Sequence, residues 1–266
     1  MKLFLTRMKI FCFLILLFSA HIVFSQTNDT ITTKTGLKYF LTQRGNGKAI
    51  DSGLVVVQHY TVWLSNGEKL QSSRDKNTPA GSVYPSDKII KGTNEAISLM
   101  KVGDRGKFIM PYYLAYGEKG NSRGVPPKET LIFDIEILET KKSSISKELL
   151  GVLYDDSFKV DSIPKTHEAI EKYKSLKRDG FTDLYIGPND IYIIGFELLE
   201  KFPKDALELF KFWVEENPNS SDAYLHLGNA FNYSGEQKLA IENFKKSLEL
   251  NPDNLVALNQ LKKLGN

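Results

Sequence analysis

The 266-residue chain predicts two folded domains of different class. The first is an α+β domain in which an antiparallel sheet wraps on one short helix; the second is an all-α stack of helical hairpins. Three observations carry this. Residues 31–139 hold β-branched and aromatic runs that alternate or end in turn signals, the pattern of strands. From residue 145 onward the apolar period changes to that of helices. Between them, residues 140–146 (TKKSSIS) are polar, small and charged, as a joint is. The expected division is 1–25 as a targeting segment, 26–140 as the sheet domain, 141–147 as a linker and 148–266 as the helical domain.

Lys2, Arg7 and Lys9 precede nine uninterrupted apolar residues at 10–18 (IFCFLILLF), and Val23 and Ser25 stand at the −3 and −1 positions before Gln26. That order is a secretory signal peptide and predicts export, to a periplasm or out of the cell. Met8 is an alternative start that leaves the apolar core intact. An uncleaved membrane anchor is the rival reading, but even residues 10–24 fall short of the ~20 that a spanning helix needs. Cys12 is the only cysteine and lies in this segment, so the mature chain offers no thiol for disulfide or thiolate chemistry.

Residues 37–41 (LKYFL) are the first strand candidate. Residues 54–64 (LVVVQHYTVWL) form a long run that ends at Ser65-Asn66-Gly67, a hairpin signal. Residues 107–110 and 131–138 supply two more strands. In the latter, Leu131, Phe133, Ile135 and Ile137 fall on one face and Asp134 and Glu136 on the other. One short helix fits, around residues 93–99, with Gly103 as a stop beyond it. A sheet packed on one helix is an α+β arrangement.

In the helical domain, Ala169, Ile170, Tyr173 and Leu176 line one face of a helix expected over 166–178, and residues 148–154 form another. From Ser221, the residues Tyr224, Leu227, Gly228, Phe231, Gly235, Ala240, Phe244 and Pro252 stand at positions 4, 7, 8, 11, 15, 20, 24 and 32 of a 34-residue unit. These are the tetratricopeptide positions. A weaker unit precedes it from about residue 188 to 220, with Gly195 at the small position and Ala206, Phe210 and Pro218 in place. Two units are fewer than the three such stacks usually need, so the helices at 148–154 and 166–178 are expected to cover one end and residues 255–264 the other. Repeats that hold a C-terminal carboxylate carry Lys at position 5 and Asn at 9; here these are Leu225 and Asn229, so that clamp is not expected. The tail reads as a docking or spacer module for a protein partner, without chemistry of its own.

Composition narrows the partners. The chain is 41% apolar and 25% charged, which excludes disordered and multi-span membrane classes. The formal net charge of +3 resides in the first 25 residues; beyond Ser25 there are 32 basic and 32 acidic residues. No excess remains to track a phosphate backbone, so nucleic acid is not an expected partner.

The sheet domain carries a further set of blocks: Val57-Gln58-His59-Tyr60-Thr61, Asn66-Gly67, Ser72-Ser73-Arg74-Asp75, Ile89-Ile90-Lys91-Gly92 and Met100-Lys101-Val102-Gly103. Leu114-Ala115-Tyr116-Gly117, Val125-Pro126-Pro127 and Thr130-Leu131-Ile132-Phe133 follow. In this order, across roughly residues 32–140, they resemble the FKBP-type peptidyl-prolyl cis–trans isomerases. Thr35-Gly36-Leu37-Lys38-Tyr39 is similar to the lead-in strand of exported bacterial members. The resemblance implies an FKBP-like fold that acts on proline-containing polypeptide segments, with no nucleophile, metal or cofactor.

It also implies roles. Tyr60 and Phe133 would be pocket walls. Ile89 and Ile90 would form the edge, with the Ile90 N–H donating to a substrate carbonyl. Tyr116 would offer its hydroxyl to the carbonyl near the isomerised bond, and Val125 would line the loop over the mouth. Without the resemblance, Tyr60 and Phe133 read as core aromatics of a sheet. Four positions depart from the family pattern: an aromatic wall becomes Leu70, its neighbouring Asp becomes Gln71, a second aromatic becomes Ala80, and the large ring on the pocket floor becomes Thr93. Thr93 also reads as an N-cap for the helix that follows. These departures predict weak activity, with a non-catalytic peptide-binding protein, or a scaffold in which the helical tail does the work, as the alternative. Only seven residues separate Gly117 from Val125, so the flap insertion of some members is not expected. No long helix precedes Thr32, so neither is a helical dimerisation arm, and a monomer is the expected state.

Overall fold

The computed structural model describes residues 29–75, 77–122, 124–154, 163–187 and 189–265; the targeting segment expected at 1–25, with Cys12, lies outside them. Seven strands form the sheet: β1 (Ile31–Thr32), β2 (Lys38–Gln43), β3 (Val55–Leu64), β4 (Lys69–Ser72), β5 (Ala80–Val83), β6 (Arg105–Met110) and β7 (Leu131–Lys141). Their order is β1-β2-β6-β7-β3-β4, with β5 also paired to β3, and all pairs are antiparallel. β3 is the spine. It pairs β7 from Val55 opposite Lys141 to Leu64 opposite Leu131, and it gives its other edge to β4 and β5. The predicted β3–β4 turn is present, with Gly67 at φ 88° and its N–H donating to the Leu64 carbonyl at 3.0 Å.

The alternation in β7 sets the two faces of the sheet. Leu131, Phe133, Ile135 and Ile137 pack inward with Val56, Val62, Phe108 and Met110. They meet Ala96 and Ile97 of helix α1 (Lys91–Ser98). On the other face Asp134 is buried and accepts from Arg105 Nε at 2.8 Å and Nη2 at 3.1 Å.

Two expectations are corrected here. α1 begins before Thr93: Ile90 is the N-cap, the Thr93 N–H donates to the Ile90 carbonyl at 3.0 Å, and the Thr93 side chain is buried inside the first turn. Gly92 permits this early start, because a Cβ there would meet Met110 Sδ at 2.7 Å. The segment expected as a linker at 141–147 is structured. Lys141 closes β7, and β8 (Ser143–Ser144) pairs in parallel with β9 (Leu184–Tyr185). Helix α2 (Ile145–Leu153) then starts at once, capped by the Ser144 side chain accepting from the Lys147 N–H. Serines serve as N-caps as readily as they serve in linkers.

The remaining helices are α3 (Thr166–Arg178), α4 (Asp190–Leu199), α5 (Pro203–Glu216), α6 (Ser221–Tyr233), α7 (Gln237–Leu250) and α8 (Leu255–Lys263). α4–α5 and α6–α7 are the two hairpins. At Gly195 an added Cβ would lie 2.4 Å from Phe210 Cζ, and at Gly228 it would lie 2.6 Å from Phe244 Cε1. Each glycine therefore lets the ring of the facing helix fill the crossing. Leu149, Leu153 and Tyr173 of α2 and α3 join the same core at one end, and Ala257 and Leu261 of α8 join it at the other. Among the described residues no helix is long and apolar enough to cross a membrane.

Candidate active site

A cavity of about 800 Å³ opens between the inner face of β3, β4, β5 and β7 and the start of α1. Strand alternation explains its walls. Tyr60 stands opposite Ile135 and Phe133 opposite Val62 across the β3–β7 pair, so both rings sit on the inner face and line the cavity. Burial pushes the Tyr60 phenol up, with Tyr116 nearby adding to the effect, so it stays neutral at physiological pH.

The edge comes from the segment before α1. Ile89 and Ile90 line the cavity, and Asn94 pins their loop: its Oδ1 accepts from the Ser86 N–H at 3.0 Å and its Nδ2 donates to the Ser86 carbonyl at 2.6 Å. As N-cap, Ile90 has an N–H that lies ahead of the helical hydrogen-bond ladder, which leaves it for a ligand carbonyl.

The mouth is built by the β6–β7 connection. Tyr116 is 43% exposed and lines the cavity. Among the described residues its hydroxyl has no hydrogen-bond partner. Val125 is buried beside it and held by Asn121, whose Oδ1 accepts from the Val125 N–H at 3.1 Å and whose N–H donates to the Val125 carbonyl at 2.9 Å.

The four departing positions, Leu70, Gln71, Ala80 and Thr93, all line the same cavity. Leu70 packs on the core as a partly buried side chain and lines the cavity without closing it. The cleft is open. Sequence reasoning missed three further lining residues, Gln58, Gly81 and Ser82. Gln58 was legible as the one polar side chain among the inward positions Val56, Tyr60, Val62 and Leu64. β5 was not, because Ala-Gly-Ser-Val carries no strand signal beyond its last residue. Among the described residues no three His, Cys, Asp or Glu side chains converge as a metal site.

The sheet thus wraps on one helix and bears an aromatic-walled cleft, with a phenol at its mouth and an N–H at its edge. Residues 46–138 match the family FKBP-type peptidyl-prolyl cis-trans isomerase, and residues 221–254 match the tetratricopeptide repeat. An FK506-binding protein of Neisseria meningitidis is 38% identical over 97 residues, covering 36% of this chain and 89% of that protein. The FKBP-type peptidyl-prolyl cis-trans isomerase FkpA of Aeromonas hydrophila is 38% identical over 111 residues, 42% of this chain and 40% of that protein. The crystal structure of FkpA from Escherichia coli aligns at 32% identity with a TM-score of 0.40, covering 44% of this chain and 54% of that one. The chain spans about half the length of the longer curated relatives it matches. It belongs to the FKBP-type peptidyl-prolyl cis–trans isomerase family and carries a tetratricopeptide repeat.

Proposed function

We propose that this chain is an exported peptidyl-prolyl cis–trans isomerase that assists the folding of proline-containing clients, turns over slowly, and uses its helical tail to dock a protein partner. One observation carries the reading: Tyr60, Phe133, Ile89, Ile90, Val125 and Tyr116 come from four separate segments and converge on one open cavity.

The chemistry follows from the walls. Rotation of an X-Pro bond opposes a barrier of roughly 18–20 kcal/mol, and water stabilises the planar, dipolar imide more than the twisted one. Aromatic and aliphatic walls strip that water from the bound ring and so favour the twisted state. The Ile90 N–H anchors a carbonyl of the chain, and the Tyr116 hydroxyl donates to the carbonyl beside the rotating bond. Each ~1.4 kcal/mol of preference for the twisted state gives a factor of ten in rate. Leu70, Ala80 and Thr93 each forgo up to about 1.5–3 kcal/mol of ring burial, and Gln71 supplies no charge, which supports a slow enzyme.

Export is supported by the basic and apolar order of residues 2–25. A protease-coupled assay on proline peptides tests the reading. Acceleration above the uncatalysed rate, but below that of a relative with all its pocket rings, is the expected result; no acceleration contradicts it. The same four substitutions favour a second reading, in which the groove grips a proline segment without turning it over. That reading requires tight peptide binding with no exchange between isomers.

A further inference from the structure

We propose that the groove selects proline segments that carry an acidic residue beside the proline, and that Lys88 and Lys91 set this preference. The inference rests on the groove being a proline site.

The charges that face the cavity are few and unbalanced. Of its lining residues only Asp87, Lys88 and Lys91 are charged, so two cations stand against one carboxylate. All three residues are exposed, and among the described residues neither lysine has an ion-pair partner. The neighbouring carboxylates are engaged elsewhere. Glu95, one helical turn beyond Lys91, accepts from Thr35 Oγ1 at 2.7 and 2.6 Å. Glu118, two residues after Tyr116, is paired with Lys128 at 3.0 Å, and Glu129 accepts from the Ser65 N–H at 2.7 Å. Within the cleft, the position where the family pattern has Asp is the neutral Gln71.

Stability does not account for Lys91. It is the first residue of α1, whose first turn holds no acidic residue and whose last turn holds no basic one. A helix dipole favours Asp or Glu at its start and Lys or Arg at its end, so Lys91 opposes it. A residue that breaks a local rule with no compensating contact marks a position that function requires.

The sign of the charge names the occupant. Exposed charges act on one another over about 8 Å at physiological ionic strength, and successive residues of an extended segment are about 3.3 Å apart. A carboxylate next to the bound proline is therefore within reach of this edge on either side, whichever way the segment runs. Complementarity of this kind sets partner choice more than raw affinity, so the effect is several-fold rather than all-or-none.

The test is a titration of the full mature chain with proline tetrapeptides that differ only in the residue before or after the proline, which is Glu, Gln or Lys. It is run at about 0.01 M and about 1 M salt, where charges are screened beyond ~30 Å and ~3 Å. The expected order of affinity is Glu, Gln, Lys, with Glu roughly fivefold tighter than Lys at low salt and the gap closing at high salt. Lys88→Gln combined with Lys91→Gln should weaken the Glu peptide and tighten the Lys peptide until the two bind alike, and Asp87→Asn should widen their separation. Equal binding of Glu and Lys peptides by the unmodified protein at low salt overturns the inference and leaves the proline site standing. So does a Glu preference that survives the double substitution, or a double variant that weakens both peptides alike. If no proline peptide of any kind binds, the proline reading of the groove falls first and this inference with it.

Discussion

The Tyr185 hydroxyl donates a 3.0 Å hydrogen bond to the carbonyl of Pro79. This contact crosses from the helical domain to the sheet domain. The ring of Tyr185 lies so close to Gly81 that an added Cβ would come within 2.5 Å of Cδ1. Burial pushes the Tyr185 phenol up, so it remains a donor at any physiological pH. Gly81 belongs to β5, whose residues line the cavity, so a residue of the tail supports one wall of the groove.

Removing that support should loosen the wall. Tyr185→Ala forgoes the packing of a half-buried ring, at a cost of roughly 2–4 kcal/mol, and Tyr185→Phe forgoes one hydrogen bond, at about 1 kcal/mol. Amide exchange at residues 80–83 should quicken in the alanine variant and peptide affinity should weaken. Unchanged exchange there would show that β5 is held by β3 alone.

Tyr116→Phe separates catalysis from grip. The proposed function has the hydroxyl act on the carbonyl beside the rotating bond, so the variant should lose roughly tenfold in turnover while peptide affinity changes less than twofold. Parallel loss of affinity and turnover would mean that Tyr116 binds the ground state equally well.

Restoring the missing rings should speed the enzyme. Leu70→Phe and Thr93→Trp return apolar area to the wall and the floor, and each is expected to raise turnover several-fold in the protease-coupled assay, within the burial limit given above. A slower enzyme in both variants would show that this cavity is shaped for something other than a twisted imide.

His226 makes the tail sensitive to acid. It stacks on Tyr192 at 3.9 Å between ring centroids, and its Nδ1 is buried without a partner. Burial pulls its pKa down to about 4, with Asp222 partly opposing the shift. The folded value lies below the unfolded value, so the unfolded chain binds the proton first. Stability is intact above pH 6.5 and is lost as the pH falls toward 4, by up to about 1.4 kcal/mol per pH unit and roughly 3 kcal/mol in total. Denaturant melts of the full chain between pH 7.5 and 4.5 should show this slope, and His226→Gln should flatten it.

The fold was legible where one signal dominated. The alternation from Leu131 to Ile137 and the spacing of Gly228, Ala240 and Phe244 each allow one arrangement, and the structure has it. β5 was hidden because its four residues earn their strand by pairing with Val55, Val56, Val57 and Gln58, a contact distant in sequence. β9 was hidden for the same reason, since two residues pair with Ser143 and Ser144 across a whole helical hairpin. The nine candidate site residues were found through a family resemblance and all line one cavity, yet the unpaired Gln58 Oε1 and Ser82 Oγ needed coordinates, because unmet hydrogen bonds are a property of surroundings rather than of residue type.

Under the proposed function, the groove lowers the barrier to imide rotation despite its missing rings. NMR exchange spectroscopy on a proline tetrapeptide with the mature protein reads binding and isomerisation in one sample. Free peptide interconverts over tens to hundreds of seconds, too slowly for exchange cross-peaks between its isomers. Such cross-peaks are expected when a small fraction of protein is added, and should weaken with Tyr116→Phe. Peptide signals that broaden or shift on binding, with no cis–trans cross-peaks at any protein concentration, would contradict it.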